Sequence, residues 1–172
     1  MINENNETID HTRTVYVDMD GVIADFDKGI ENITGKRPDV LTKDDMWKAI
    51  ERHGRVRFFA DLPWMDGGEE MWMFIVNNFL NVKILTALGK QDLVDGKNTK
   101  GKRAWLQRNI PSLSDSDIIM VANKHKKRHY SKSGDIIIDD REVVVDEWNK
   151  NGGIGLLYKT ASETIERLKK YV

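Results

Sequence analysis

The chain of 172 residues contains no cysteine. That excludes disulfides, thiolate metal sites and cysteine nucleophiles. There is no apolar run approaching the roughly 18 residues that a membrane-spanning helix needs. Residues 1–13 are polar and have no apolar signal core, so a loose tail and a cytosolic protein are expected. No charge of one sign dominates: 27 Lys and Arg face 28 Asp and Glu, for a net charge of −1. A broadly basic surface is therefore ruled out, and stable nucleic-acid binding is not expected. The four histidines, His11, His53, His125 and His129, show no zinc-like spacing. Three prolines leave little punctuation, and 40% apolar content is too high for a disordered chain. One domain with a small insertion fits this length.

Five short apolar runs are present: Thr14–Val17, Val82–Thr86, Ser116–Val121, Asp135–Asp139 and Ile154–Tyr158. They are continuous rather than alternating, as in strands covered on both faces. Helical patterns lie between them. Glu69–Leu80 carries apolar residues at close to helical spacing, Lys100–Asn109 stops before Pro111, and Glu142–Lys150 stops before Gly152-Gly153. Ser162–Tyr171 closes the chain with Ser162 as the expected N-cap. Strands alternating with helices predict a three-layer α/β, Rossmann-like parallel sheet. One connection is too long. Roughly 60 residues separate Asp18 from Val82, more than a crossover requires. The expected division is a tail at 1–13, a catalytic core at 14–26 and 65–172, and a small helical cap at 27–64.

Ligands of an open parallel sheet bind beyond the C-terminal strand ends. Here those ends are acidic twice over, as Asp18-Met19-Asp20-Gly21 and as Asp139-Asp140-Arg141. Carboxylates gathered in one crevice repel one another unless a cation sits among them. All-oxygen ligands favour a hard ion, and Mg²⁺ is expected. Two Asp two residues apart just past a strand can divide the work. One acts as a nucleophile on phosphorus, and the other protonates the leaving oxygen and then deprotonates water.

Asp18-Met19-Asp20-Gly21-Val22-Ile23-Ala24-Asp25 resembles the first motif of the haloacid dehalogenase superfamily. Ile84-Leu85-Thr86-Ala87 resembles its second, and Ile138-Asp139-Asp140 its last. The order is that of the superfamily. A finer similarity is to the 5′(3′)-deoxyribonucleotidases, carried by Asp18–Phe26, by Phe58–Glu69 in the cap segment, and by the acidic pair followed by Arg141. The resemblance implies an Mg²⁺-dependent phosphatase that works through an aspartyl-phosphate. It implies Asp18 as nucleophile and Asp20 as general acid and base. The metal would be held by Asp18, the main-chain carbonyl of Asp20 and Asp140, with Asp139 close behind. Thr86, with the main-chain amides around Ala87, would bind a phosphate oxygen. The expected lysine is Lys127, with Lys124 as the fallback.

Lys124–Lys132 is a dense basic run, for which a solvated face and the attraction of anionic substrates are the plainer explanations. All five Phe and three of five Trp lie between Phe26 and Phe79. Aromatic rings there can hold the cap together, a role expected for Trp47, Trp72, Phe74 and Phe79, or can stack on a nucleobase. By resemblance Phe26 is the expected base contact, with Phe58, Phe59 and Trp64 behind it. The expected reaction is hydrolysis of (deoxy)ribonucleoside monophosphates. The alternatives are a phosphatase of the same fold acting on a sugar phosphate or a polynucleotide end, and a non-catalytic nucleic-acid-binding module. The nucleotide is the expected small-molecule partner, and homodimerisation stays open.

Overall fold

The computed structural model describes residues 12–89 and 91–172. Most of the expected tail therefore lies outside the described residues. The strands are β1 Thr14–Val17, β2 Asn81–Ala87, β3 Ile118–Val121, β4 Ile136–Asp139 and β5 Ile154–Leu157. The helices are α1 Phe26–Thr34, α2 Lys43–His53, α3 Arg55–Ala60, α4 Gly68–Asn78, α5 Asp92–Asp95, α6 Lys97–Asn109, α7 Glu142–Lys150 and α8 Ala161–Leu168. A 3-10 helix covers Lys124–Tyr130 between β3 and β4.

All strand pairs are parallel, in the order β3-β2-β1-β4-β5. The chain first builds outward from β1 through β2 and β3. It then returns to the other side of β1 for β4 and β5. The reversal lies between β1 and β4, and a crevice opens at such a point beyond the strand ends. Register sets Val17 beside Ile138, so Asp18 and Asp139 leave their strands side by side.

Alternate residues of each strand face opposite layers. Val15, Val17, Ile84, Ile136 and Ile138 join the larger core with Trp105 and helices α1, α3, α4 and α8. Tyr16, Leu85 and Ile137 join a smaller one with Val144 and Trp148 of α7. Both faces are covered, which is why the strand runs are mostly apolar, with Lys83, inside β2, paired to Asp117.

Helices α1, α2 and α3 form the insertion after β1. Its two ends are tied together: Asp25 N donates to the Pro63 carbonyl at 2.9 Å, and Met65 N to the Ile23 carbonyl at 2.8 Å. It is pinned onto α6 as well. Trp105 Nε1 donates to the Leu62 carbonyl at 2.7 Å. A Cβ on Gly101 of α6 would stand 2.6 Å from the Val56 carbonyl oxygen, so only glycine permits this close approach of α3.

Several details differ from the sequence reading. Helix α6 starts at Lys97, three residues early, because Asp92 Oδ1 accepts from Asn98 N at 2.5 Å and Thr99 N at 3.2 Å. The N-cap of α8 is Thr160, whose hydroxyl accepts from Glu163 N at 3.2 Å, and Ser162 lies inside the helix. Trp72, Phe74 and Phe79 belong to α4 and its C-cap rather than to the cap. Helix α4 packs on α8 in the catalytic core, as a crossover helix leading into β2 must.

Candidate active site

Just past β1 the chain turns sharply. The Met19 carbonyl accepts from Ile23 N at 3.0 Å and from Ala24 N at 2.9 Å. Gly21 sits in this turn at φ +79°, which side-chain-bearing residues rarely adopt. The turn presents Asp18 at the floor of the crevice and Asp20 at its side. Carboxylate oxygens of Asp18, Asp139 and Asp140 all lie within 4.8 Å of one another. Asp18 and Asp139 are buried, whereas the Asp140 side chain keeps 38% exposure at the mouth.

One ammonium serves the two buried carboxylates. Lys127 Nζ, 1% exposed, lies 2.8 Å from Asp18 Oδ1 and donates to Asp139 Oδ2 at 2.6 Å. It descends from the 3-10 helix, and Lys124 is not among its partners in these contacts. Asp18 Oδ1 also accepts from Met19 N at 2.8 Å, and Asp139 Oδ1 from Arg141 N at 3.0 Å.

The charge balance is unequal. Burial works to lower the Lys127 pKa, but the carboxylates of Asp18 and Asp139 outweigh it and hold the ammonium charged. Burial, with repulsion from Asp18, pushes the Asp139 carboxyl up to about 7 despite Lys127. Burial and Asp18 raise Asp140 too. Lys127 faces the two buried carboxylates, and Arg141 Nε lies 3.9 Å from Asp140 Oδ1 at the mouth. Three carboxylates offering only oxygen fit a hard divalent ion.

Thr86, at the end of β2, is fully buried. Its hydroxyl accepts from Lys102 Nζ at 2.8 Å. The same ammonium donates to the Ala87 carbonyl at 2.8 Å and lies 2.7 Å from Asp20 Oδ2. Asp20 Oδ1 is buried without a hydrogen-bond partner. Lys102 is the residue that the motif reading missed. Its signal was present. Asn98, Gly101, Lys102, Trp105 and Leu106 form the buried stripe of α6 at helical spacing. A lysine on such a stripe needs buried partners. The amides of Leu88 and Gly89 donate to the Val121 and Ala122 carbonyls, so these two are already engaged.

The aromatic residues separate into two groups. Phe26 opens α1 and is partly buried, edge-on to Phe58 at 5.3 Å between ring centroids. Phe58 and Phe59 are both 2% exposed and pack with each other inside the cap. Phe59 also lies beneath the Lys102 ammonium, 5.4 Å from its ring centre. Trp64 is partly buried against Trp105 at 4.8 Å. Of the basic run, only Lys127 enters the acidic cluster. His125 Nδ1 instead meets Glu147 at 2.8 Å on the surface, and His53 ends α2. Among the described residues, no helix is long and apolar enough to cross a membrane.

The fold is shared with several solved structures, two hydrolases among them. One is a hydrolase from Streptococcus pneumoniae TIGR4, at a TM-score of 0.55 and 11% identity, covering 91% of this chain and 98% of that one. The other is a haloacid dehalogenase-like family hydrolase from Streptococcus pneumoniae, at 0.51 and 12%, covering 92% and 99%. A search of curated proteins gives no significant match. A sequence model for "5′ nucleotidase, deoxy (Pyrimidine), cytosolic type C protein" matches residues 30–167. With that match over most of its length, the chain belongs to the cytosolic type C 5′ deoxynucleotidase family, on a fold shared with a haloacid dehalogenase-like hydrolase.

Proposed function

We propose that the protein hydrolyses nucleoside monophosphates, deoxyribonucleotides foremost, to nucleoside and orthophosphate through an aspartyl-phosphate on Asp18. The observation that carries this reading is the gathering of Asp18, Asp139 and Asp140 around one point, with Lys127 bridging the two buried ones. A nucleotide substrate is suggested by the family.

In this reading an Asp18 carboxylate oxygen attacks phosphorus, and the bond from phosphorus to the sugar oxygen breaks. Asp20 gives that oxygen its proton. Asp20 Oδ1, buried without a hydrogen-bond partner, supports that role, while Oδ2 is held by Lys102. Asp20 then takes a proton from water as the water attacks the aspartyl-phosphate, and orthophosphate leaves. Lys127 pairs with Asp18 and offsets charge on the phosphoryl oxygens. Thr86 and Lys102 receive the phosphate on the side of β2. Asp18, Asp140 and the Asp20 carbonyl would hold Mg²⁺, with Asp139 behind them. When bound, the ion supplies positive charge against the phosphoryl group.

Residues 27–64 act as the cap, over a core of 14–26 and 65–172. The tie between Ala24 and Trp64, where the insertion leaves and rejoins the core, supports this division. Phe26 offers the base-contacting ring, and Phe58 and Phe59 stiffen it from behind. The family's description suits action in the cytosol.

The test is a panel of phosphomonoesters with Mg²⁺, read as orthophosphate release. Deoxyribonucleoside monophosphates are expected to lead. Sugar phosphates or polynucleotide ends turning over faster would overturn the substrate assignment.

A further inference from the structure

Arg55 opens α3 in the cap, yet its side chain is only 1% exposed. Its guanidinium binds Asp95 through Nη2. Nε lies 2.8 Å from Glu51 Oε1, at ion-pair distance but without the alignment of a hydrogen bond. Nη1 donates to Asn98 Oδ1 at 3.4 Å. A buried cation with two carboxylates could be a staple between cap and core and nothing more.

The next bond adds to this. Asn98 Nδ2 donates to the Leu88 carbonyl at 2.7 Å. Leu88 follows Thr86 and Ala87 directly, on the strand end that faces the phosphate. Guanidinium is a donor only, so it must meet the oxygen end of the Asn98 amide. The NH₂ end is then turned towards Leu88. Arg55 and the Leu88 carbonyl thus select the same orientation of the Asn98 amide, one from each end. One helical turn further on, Lys102 holds the Ala87 carbonyl. Two successive carbonyls of this strand end are therefore fastened to α6, one of them under orders from the cap.

We infer that Arg55 is a positioning residue for the phosphate site. Through the Asn98 amide it holds the Thr86–Leu88 segment in the shape that receives a phosphoryl group, so the cap governs phosphate binding as well as base recognition. This rests on the reading of Thr86 and Lys102 as phosphate ligands.

Asn98→Asp separates this role from stapling. A carboxylate still pairs with Arg55, and cap docking is kept. It offers Leu88 no donor, however, and the bond to the strand end is lost. The full-length protein with Mg²⁺ would be titrated with orthophosphate by calorimetry. The kcat and KM would be measured for p-nitrophenyl phosphate, which has no base, and for a deoxyribonucleoside monophosphate. Thermal midpoints would be recorded alongside. Asn98→Asp is expected to weaken orthophosphate binding about tenfold or more and to raise KM for both substrates by a like factor, with little change in the thermal midpoint. Arg55→Met should match it in affinity but also melt earlier, and Arg55→Lys should recover part of the affinity. Wild-type affinity for orthophosphate in Asn98→Asp, or a loss confined to the nucleotide, would overturn the inference. A wild type that binds orthophosphate without hydrolysing nucleotides would refute the proposed substrate and leave this test intact. A wild type that binds no orthophosphate refutes both.

Discussion

Gly21 and Asp140 are so close that a Cβ on Gly21 would stand 2.7 Å from Asp140 Oδ2. The glycine thus serves the acidic cluster twice, by its positive φ and by the space it leaves for a carboxylate from another strand end. Gly21→Ala is expected to cost about 1–2 kcal/mol in backbone strain and to push Asp140 off the cluster. Mg²⁺ titration of activity should show a higher metal requirement and a lower maximal rate. An unchanged Mg²⁺ midpoint would remove Asp140 from the metal site.

Lys127 neutralises part of a buried acidic pair, so its loss should affect both folding and rate. Lys127→Met leaves Asp18 and Asp139 uncompensated and is expected to destabilise the protein by about 3–5 kcal/mol. It should also lower kcat by about 10²–10³. Adding Asp139→Asn removes one of the orphaned charges. Denaturant melts of the double variant should recover most of the stability, while activity stays low. Recovery of both would mean that Lys127 has only a structural role.

Burial and repulsion from Asp18 raise the Asp139 carboxyl from the ordinary 3.8 to about 7. Between those values the metal-free folded protein binds more protons than the unfolded chain. Its stability must then fall as pH rises through that window. Asp140 pushes the same way. Measured against Asp139→Asn, thermal melts of the wild type in chelator are therefore expected to lose midpoint as pH rises from about 4 to about 7. Mg²⁺ should shrink that difference. A wild type that gains on Asp139→Asn across the window would contradict this charge balance.

The sheet was legible because strands buried on both faces are apolar over their buried residues, as Val15–Val17 and Ile136–Ile138 are. Asp18 and Asp139 were legible for the same reason, since each is the first charge after such a run. Lys127, 12 positions before Asp139, was the expectation from the resemblance, with Lys124 left as the fallback, because a run of four lysines offers no local mark that separates them. Lys102 carried a weaker mark, a charge on the buried stripe of α6, and only the fold shows that its partners are Thr86, the Ala87 carbonyl and Asp20. The cap aromatics were misjudged for a similar reason. Composition places Phe58 and Phe59 near the site, but only packing shows that they lie beneath Phe26 with no open face. Thr160 displaced Ser162 as a cap because the helix begins one residue before Ser162.

Phe26 and Phe59 should therefore respond differently to truncation. Phe59→Ala opens a cavity in the cap and is expected to cost about 3–5 kcal/mol, seen in denaturant melts. Phe26→Ala should cost less stability and should narrow the differences in kcat/KM among nucleotides with different bases. If base ranking survived Phe26→Ala and collapsed in Phe59→Ala, the assignment of the stacking ring would be reversed.

The central claim is that Asp18 carries the phosphoryl group of a nucleotide. The most direct measurement is rapid quenching of the Mg²⁺-loaded protein with a deoxyribonucleoside monophosphate labelled in its phosphate, followed by peptide mapping. Asp20→Asn would run beside the wild type to slow breakdown of the intermediate. An acid-stable, hydroxylamine-sensitive label is expected on the peptide that contains Asp18, and in Asp20→Asn it should both form and decay more slowly. Turnover of the nucleotide with no label on that peptide, or with the label elsewhere, would contradict that claim.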